Sequence, residues 1–317
     1  MRYVITGAGQ IGRQLARDLL DAGQHVTVIR RGTEVEDGAE LMQGDAGDRA
    51  LMERAVAGDG DTASAIFHCI HTAYDSTAWR RDLPHREQVV MDVAADGGIP
   101  VVFPEPVYAF GTRARDLSEP LTSDTVAPVS PLGAVRAELL AARRSHPART
   151  VSVVAADLVG PTAESSSSVF QLLVFGPAGA GRTAWVLGDP DVERSMTTIP
   201  DLTSAMATAA EEAGALATDG DAVLTAPSTG PLSQRTMAED IARAAGVRRR
   251  PVRKTPWWVV RLAGFFSATM RELHGNRYLW DAPAVIRPGI LQTGYGITPA
   301  TWDDVARDTV GRAPSAD

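Results

Sequence analysis

The chain has 317 residues, 44% of them hydrophobic, which is enough for one large or two smaller domains with well-packed cores. Its net charge of -8 argues against a general nucleic-acid binder, and a single cysteine, Cys69, excludes an intrachain disulfide and a cysteine-based zinc cluster and agrees with a reducing compartment. With no apolar run of about eighteen residues and no signal-peptide pattern at the N-terminus, the expected setting is cytoplasmic, with no membrane partner.

The first element is a β-type run at residues 3–6, which leads directly into Gly7-Ala8-Gly9-Gln10-Ile11-Gly12, a G-x-G-x-x-G spacing. Gly7 lets the chain turn off the strand, Gly9 removes a side chain where backbone must approach phosphate, and Gly12 lets the next helix pack close to the sheet. Gln10 and Ile11 open that helix, expected over residues 10–22 with Leu15, Leu19 and Leu20 on its apolar side, and a dinucleotide pyrophosphate would face its N-terminus. A second strand at 25–29 ends in Arg30-Arg31, where an acidic residue would accept from the 2'-hydroxyl of NAD. A guanidinium there offers a planar fork of donors to a 2'-phosphate, so the sequence favours NADP(H); the alternative is a pair of solvated turn residues. A short third strand at 39–43 precedes Gly44-Asp45, which has the position and donor-acceptor character to meet an adenine edge.

A helix over 49–57 leads to a strand at 65–70 ending in His68-Cys69-Ile70-His71, at the level of the nicotinamide ribose. Cys69 reads as a small buried hydrophobe beside the cofactor. His71, close to Tyr74 and Asp75, is a candidate for a substrate or catalytic role, with surface or packing as the alternative, and no second ligand at a recognised spacing points to a metal. Further helices are expected over 81–96 and 132–145, the latter opened by Ser130-Pro131, with strands at 100–103 and 150–155. Strands alternating with helices predict an α/β, doubly wound parallel sheet.

After Asp157 the pattern breaks: Ser165 to Ser168 and residues 176–181, rich in glycine, read as loops, and a strand follows at 184–187. Then come a helix at 198–210 entered through Ile199-Pro200-Asp201, a strand at 222–226, a helix at 233–245, a short strand at 251–255, the aromatic-rich stretch 256–266 and a last helix at 299–310. The basic run Arg248-Arg249-Arg250 with Arg253 and Lys254 reads as a solvated helix end or strand edge rather than a binding patch. Trp185, Trp257, Trp258, Phe265, Phe266, Tyr278 and Trp280 suit an apolar pocket or, more simply, a core.

The glycine loop, Gly44-Asp45, His68-Cys69, Phe110-Gly111, Ser130-Pro131, Gly160-Pro161 and Ile199-Pro200-Asp201-Leu202 stand in an order that resembles the short-chain dehydrogenase/reductase superfamily. The chain is most similar to its extended and atypical branch, the NAD-dependent epimerase/dehydratase-like proteins. The resemblance implies a Rossmann domain made of residues 1–157 and 196–226 and a smaller substrate domain made of 158–195 and 227–317. It also implies a homodimer through helices 81–96 and 132–145, and a catalytic serine, tyrosine and lysine. Those positions fall on Pro106, Leu132 and Arg136, so all three are replaced. Leu132 cannot exchange a proton, and Arg136 suits binding of ribose hydroxyls better than proton transfer.

The cofactor loop therefore outlives the usual catalytic set, and three readings stay open. One is an NADP-dependent oxidoreductase on a small carbonyl-type substrate, with Tyr108, His71 or Tyr74 replacing the tyrosine and Asp157 at the nicotinamide or substrate. Another is an NADP(H)-binding sensor without turnover. The third is a non-redox isomerase, dehydratase or cyclase on the same scaffold.

Overall fold

The structure, a computed structural model, describes residues 1–58, 60–160, 162–164 and 168–311; Pro161 of the Gly160-Pro161 pair and Ser165 to Ser167 of the serine run lie outside the described residues. The chain opens with β1 (Arg2–Thr6), α1 (Gln10–Asp21), β2 (His25–Arg30), β3 (Glu40–Gln43), α2 (Arg49–Ala57), β4 (Ala65–His68), α3 (Ser76–Gly97), β5 (Val101–Pro106), α4 (Pro131–Ser145) and β6 (Thr150–Ala155). It continues through β7 (Asp157–Val159), α5 (Gly176–Gly179), β8 (Ala184–Val186), β9 (Glu193–Arg194), β10 (Met196–Thr198), α6 (Ile199–Glu211), α7 (Ala213–Leu216) and β11 (Asp221–Thr225). A seven-stranded sheet runs in the order β11-β6-β5-β4-β1-β2-β3 with every pair parallel. The order reverses between β1 and β4, and the carboxyl ends of those two strands form the crevice where such sheets bind ligands.

Both faces of the sheet are covered, which is why its strands are apolar without alternation. Tyr3 and Ile5 of β1 pack with Leu15 and Leu19 of α1 and Leu202 and Met206 of α6. Val4, facing the other way, joins Met52 of α2 and Val90 and Val93 of α3. The approach of α1 depends on Gly12, since a Cβ at that position would overlap the carbonyl oxygen of Gly7.

A second core gathers Val159, Phe170, Val174 and Phe175 with residues from the last third of the chain, including Trp280. That third comprises β12 (Leu232–Ser233), α8 (Gln234–Ala244), β13 (Val252–Lys254), α9 (Trp257–Ala263), α10 (Ala268–Gly275), α11 (Ile290–Thr293) and α12 (Trp302–Gly311). Among the described residues no helix is long and apolar enough to cross a membrane.

Several elements differ from the sequence reading. Helix α3 begins at Ser76 rather than residue 81, because Asp75 caps it by accepting from the Thr77 N–H at 3.0 Å. Strand β4 ends at His68, although Cys69 N–H still reaches Thr6 O at 2.8 Å. Residues 176–179, expected as loop, are helical: they continue a π-helical turn, Gln171–Phe175, whose Val174 and Phe175 are buried together with Ala178. Burial of that face outweighs the low helix propensity of its glycines.

Candidate active site

The crevice between β1 and β4 is shaped as a cradle. Gly7 has φ +88°, and a Cβ there would stand 3.0 Å from the Cys69 carbonyl oxygen and from Ile70 backbone. The turn thus rests directly on the end of β4, an approach that only glycine permits. Gly9, the N-cap of α1, supplies no side-chain acceptor to the first turn and has nothing within 4 Å of where a Cβ would be. Backbone donors at a helix N-terminus with open space before them suit a phosphate. Ile11 and Ile70 are half-buried, and Gln10 accepts from the Glu164 N–H at 3.1 Å, which ties the cradle to the segment after β7.

Arg30 ends β2 and folds back on the Glu34 carbonyl over Gly32, whereas Arg31 is exposed. Asp45, past β3, is clamped by both nitrogens of the Arg86 fork at 2.7 Å and accepts from the Gly47 N–H at 2.9 Å. The Arg86 hydrogen bond is the chief cause that lowers its pKa to about 2, against a smaller desolvation effect, and Arg31 adds a further pull. The predicted adenine contact is therefore already part of an ion pair, beside a cleft of about 320 Å³ that also takes in Arg81 and His85.

The protonatable candidates converge on Trp79 of α3. The His71 ring meets it edge-on at 5.3 Å, Tyr74 at 6.0 Å and Tyr108 at 6.1 Å, and the Arg136 guanidinium lies 4.8 Å above it. Tyr74 Oη donates to Tyr108 Oη at 3.1 Å and receives a hydrogen bond from Asn276 Nδ2 at 3.4 Å. Leu132, fully buried at the first turn of α4, packs in the same cluster. Tyr108 lies in the 3-10 segment Val107–Asp116, and its carbonyl presses on Gly133, where a Cβ would come within 2.5 Å of it. Gly133 therefore lets this segment lie against the helix turn that carries Leu132.

Burial dominates the titration of this cluster. It pushes the Tyr108 phenol up to about 12, while the hydrogen bond from Tyr74 opposes the rise and the Asp157 charge adds to it. Tyr74 is raised well above the usual phenol range, by burial first and then by Tyr108. His71 keeps an open face, yet desolvation and then the Arg136 charge lower it to about 4. Asp157 opens β7 rather than closing β6 and pairs at 2.8 Å with Arg194, itself buried between Phe170 and Trp280. Cys69 is buried, and its thiol is pushed up to about 12 by desolvation, so it packs as the small hydrophobe expected.

The sequence model of the NAD dependent epimerase/dehydratase family matches residues 3–222. The chain belongs to that family. No curated protein matches its sequence. Among solved structures it is similar to the UDP-glucose 4-epimerase of Thermotoga maritima with UDP-glucose, at 16% identity and TM-score 0.71, covering 98% of each chain. It is also similar to the UDP-glucose 4-epimerase of Thermus thermophilus in complex with NAD, at 18% identity and TM-score 0.70 over 100% of both chains. A third is the dTDP-glucose 4,6-dehydratase of Bacillus anthracis in complex with NAD, at 14% identity and TM-score 0.73, covering 98% of this chain and 96% of that one. At these identities the likeness is one of fold.

Within this epimerase/dehydratase scaffold, Arg136 turns inward. It is buried, its Nη1 stands 3.5 Å from Glu105 Oε2, and its Nε has no hydrogen-bond partner among the described residues. Glu105 also takes Arg143 at 2.8 Å, and Arg143 grips Glu87 through both nitrogens at 2.8 Å. This buried ionic cluster has no signature in the sequence, because its members come from α3, β5 and α4 with no shared spacing. Asn276 and Trp79 were missed for the same reason. Tyr278, near Tyr108, is a further phenol at the site; burial raises its pKa, and Ser130 opposes the rise. Of the seven aromatics assigned to a pocket or core, Trp185, Trp258, Phe265 and Phe266 are exposed, so these four are not core residues.

Proposed function

We propose that this protein is an NADP(H)-dependent reductase of a small carbonyl compound, with Tyr108 as proton donor in place of the tyrosine that Leu132 replaces. The observation that carries this reading is the polarity of the hydrogen-bond run from Asn276 to Tyr74 to Tyr108. Each hydroxyl accepts from the one behind it, so the proton of Tyr108 remains for an oxygen in front of it. When bound, the dinucleotide supplies the hydride.

The residues present fit such a cofactor. The Gly7 turn and the α1 N-terminus suit the pyrophosphate, and Arg30 and Arg31 suit a 2'-phosphate better than a bare hydroxyl. Tyr108 and Tyr74 stay protonated at neutral pH because burial raises them both. A phenol whose pKa burial raises to about 12 stays protonated at neutral pH and can donate to an oxygen gaining alkoxide charge. Asp157 and Tyr278 face the same region and suit substrate binding.

The test is NADPH oxidation by the full chain against a panel of aldehydes, ketones and 4-keto nucleotide sugars. Tyr108→Phe is expected to lower kcat by about 10²- to 10⁴-fold with NADPH affinity unchanged. Full turnover by that variant would remove Tyr108 from the chemistry. Tight NADPH binding without turnover of any carbonyl would favour the sensor instead.

A further inference from the structure

Helices α9 and α10 pack on each other as a hairpin, and α9 with the turn that follows it carries a run of exposed apolar side chains. Trp258, Val259 and Leu262 stand on α9 and Phe265 and Phe266 lie in the turn that follows it, so five apolar side chains run along one arm of the hairpin and its tip as an apolar stripe. All five are exposed, and the exposure is greatest at the tip, where Phe265 is 75% and Phe266 95% accessible. Taking aromatic side chains at roughly 150–250 Å² each, the stripe offers on the order of 600 Å² of apolar surface, at the upper end of what monomers leave uncovered.

The charge around the stripe selects its occupant. Residues 247–280 contain eight Lys and Arg against one acidic residue, Glu272, in a chain of net charge -8. Glu272 is buried and accepts from Ser76, so it does not offset this charge at the surface. Lys254 and Arg277 pair with Asp281 and Arg249 with Glu239, so the charge next to the stripe is chiefly that of Arg261 and Arg271. Arg261 is exposed on the same helix, and Arg271 is exposed with its backbone against Gly264 at the hairpin turn. A two-fold pairing of this face with a second copy would bring these arginines onto their own kind. An anionic bilayer surface instead complements both parts: phenylalanines at the tip enter the acyl boundary, Trp258 lies at headgroup level, and the arginines meet lipid phosphates.

We infer that the α9–α10 hairpin docks this protein peripherally on an anionic lipid bilayer, with Phe265 and Phe266 as the inserted residues. This departs from the expectation drawn from composition, which saw no membrane partner. Docking is independent of the reaction proposed above, although Asn276 directly follows α10, so the docked element is the one that holds the tyrosine pair.

Flotation of the full chain with vesicles tests it. Binding is expected to vesicles of equal phosphatidylcholine and phosphatidylglycerol, and not to phosphatidylcholine alone, and it should weaken as salt is raised. The double variant Phe265→Ser with Phe266→Ser should partition about a hundredfold more weakly. Arg261→Gln with Arg271→Gln should lose the preference for anionic vesicles while keeping the thermal midpoint and dinucleotide affinity of the unaltered chain. Three results would overturn the inference: no binding to the mixed vesicles, binding that the phenylalanine variant leaves unchanged, or a dimer in sedimentation that this variant converts to monomer.

Discussion

Mild acid is expected to destabilise this protein through His68. The ring closes β4 at 3% exposure, with Nδ1 2.7 Å from Thr6 Oγ1 and Nε2 buried without a partner among the described residues. Burial lowers its pKa from 6.5 to about 4; Glu87 opposes the shift, and Arg143 and Arg136 add to it. Because the folded-state value lies below the unfolded one, the neutral ring contributes stability that is complete above about pH 6.5 and is lost as pH falls toward 4. A tenfold difference in proton affinity between the two states is worth about 1.4 kcal/mol, so the whole loss is about 3 kcal/mol, a large share of the roughly 5–15 kcal/mol that holds a domain folded. Asp45, also depressed, loses its contribution only below about pH 4, in a separate window. Urea unfolding at successive pH values between about 7 and 4.5 should show stability falling with a slope near one proton from His68, with a further share from His71. In His68→Gln the slope should drop by about one proton. A flat profile in the unaltered chain, or an unchanged slope in the variant, would refute the reasoning.

The cofactor preference and the buried charges give two further tests. Replacing Arg30 and Arg31 with alanine should weaken NADPH at least about tenfold while leaving NADH nearly unchanged, as read by fluorescence titration; equal losses for both would mean the arginines do not meet a 2'-phosphate. Arg143→Met leaves Glu87 and Glu105 buried without their main cation, and denaturant unfolding should show a loss of about 3–5 kcal/mol. A loss below about 1 kcal/mol would mean that water or Arg136 takes over the compensation.

The cradle was legible because its signals are local. Gly7, Gly9 and Gly12 act through backbone conformation and close approach within one turn, and the β1–α1 order around them can be read from apolar spacing alone. The alternation of strands and helices likewise pointed to the sheet, since a parallel pair needs a crossover. Tyr74, Tyr108, His71 and Arg136 could be named as candidates because they follow strand ends or hold the family's spacing. Their convergence on Trp79 could not, since it depends on how α3 and α4 cross. Asn276 is further still from prediction: it lies 202 residues from Tyr74 and arrives through a hairpin that sequence read only as aromatic-rich.

Leu132 stands where the resemblance implied a tyrosine, and its surroundings suit an apolar side chain. Gly133 follows Leu132, and its missing side chain is what admits the Tyr108 carbonyl to the first turn of α4. Leu132 then fills the space beneath the Tyr74 and Tyr108 rings, where a polar hydroxyl would need a partner. On the proposed reading, an apolar residue at 132 and a phenol donor at 108 belong to one packing arrangement. The proposed donor, Tyr108, also differs in kind from the tyrosine that the resemblance implied. In the usual arrangement a lysine four residues after the tyrosine lowers the phenol's pKa, whereas here the residue at that spacing, Arg136, has its charge held by Glu105 and Trp79. Tyr108 therefore keeps a high pKa, with Arg136 only a minor influence on it. On the proposed reading the site works through a buried phenol that stays protonated at neutral pH, so its catalysis should depend on proton donation by Tyr108 rather than on an activated phenolate.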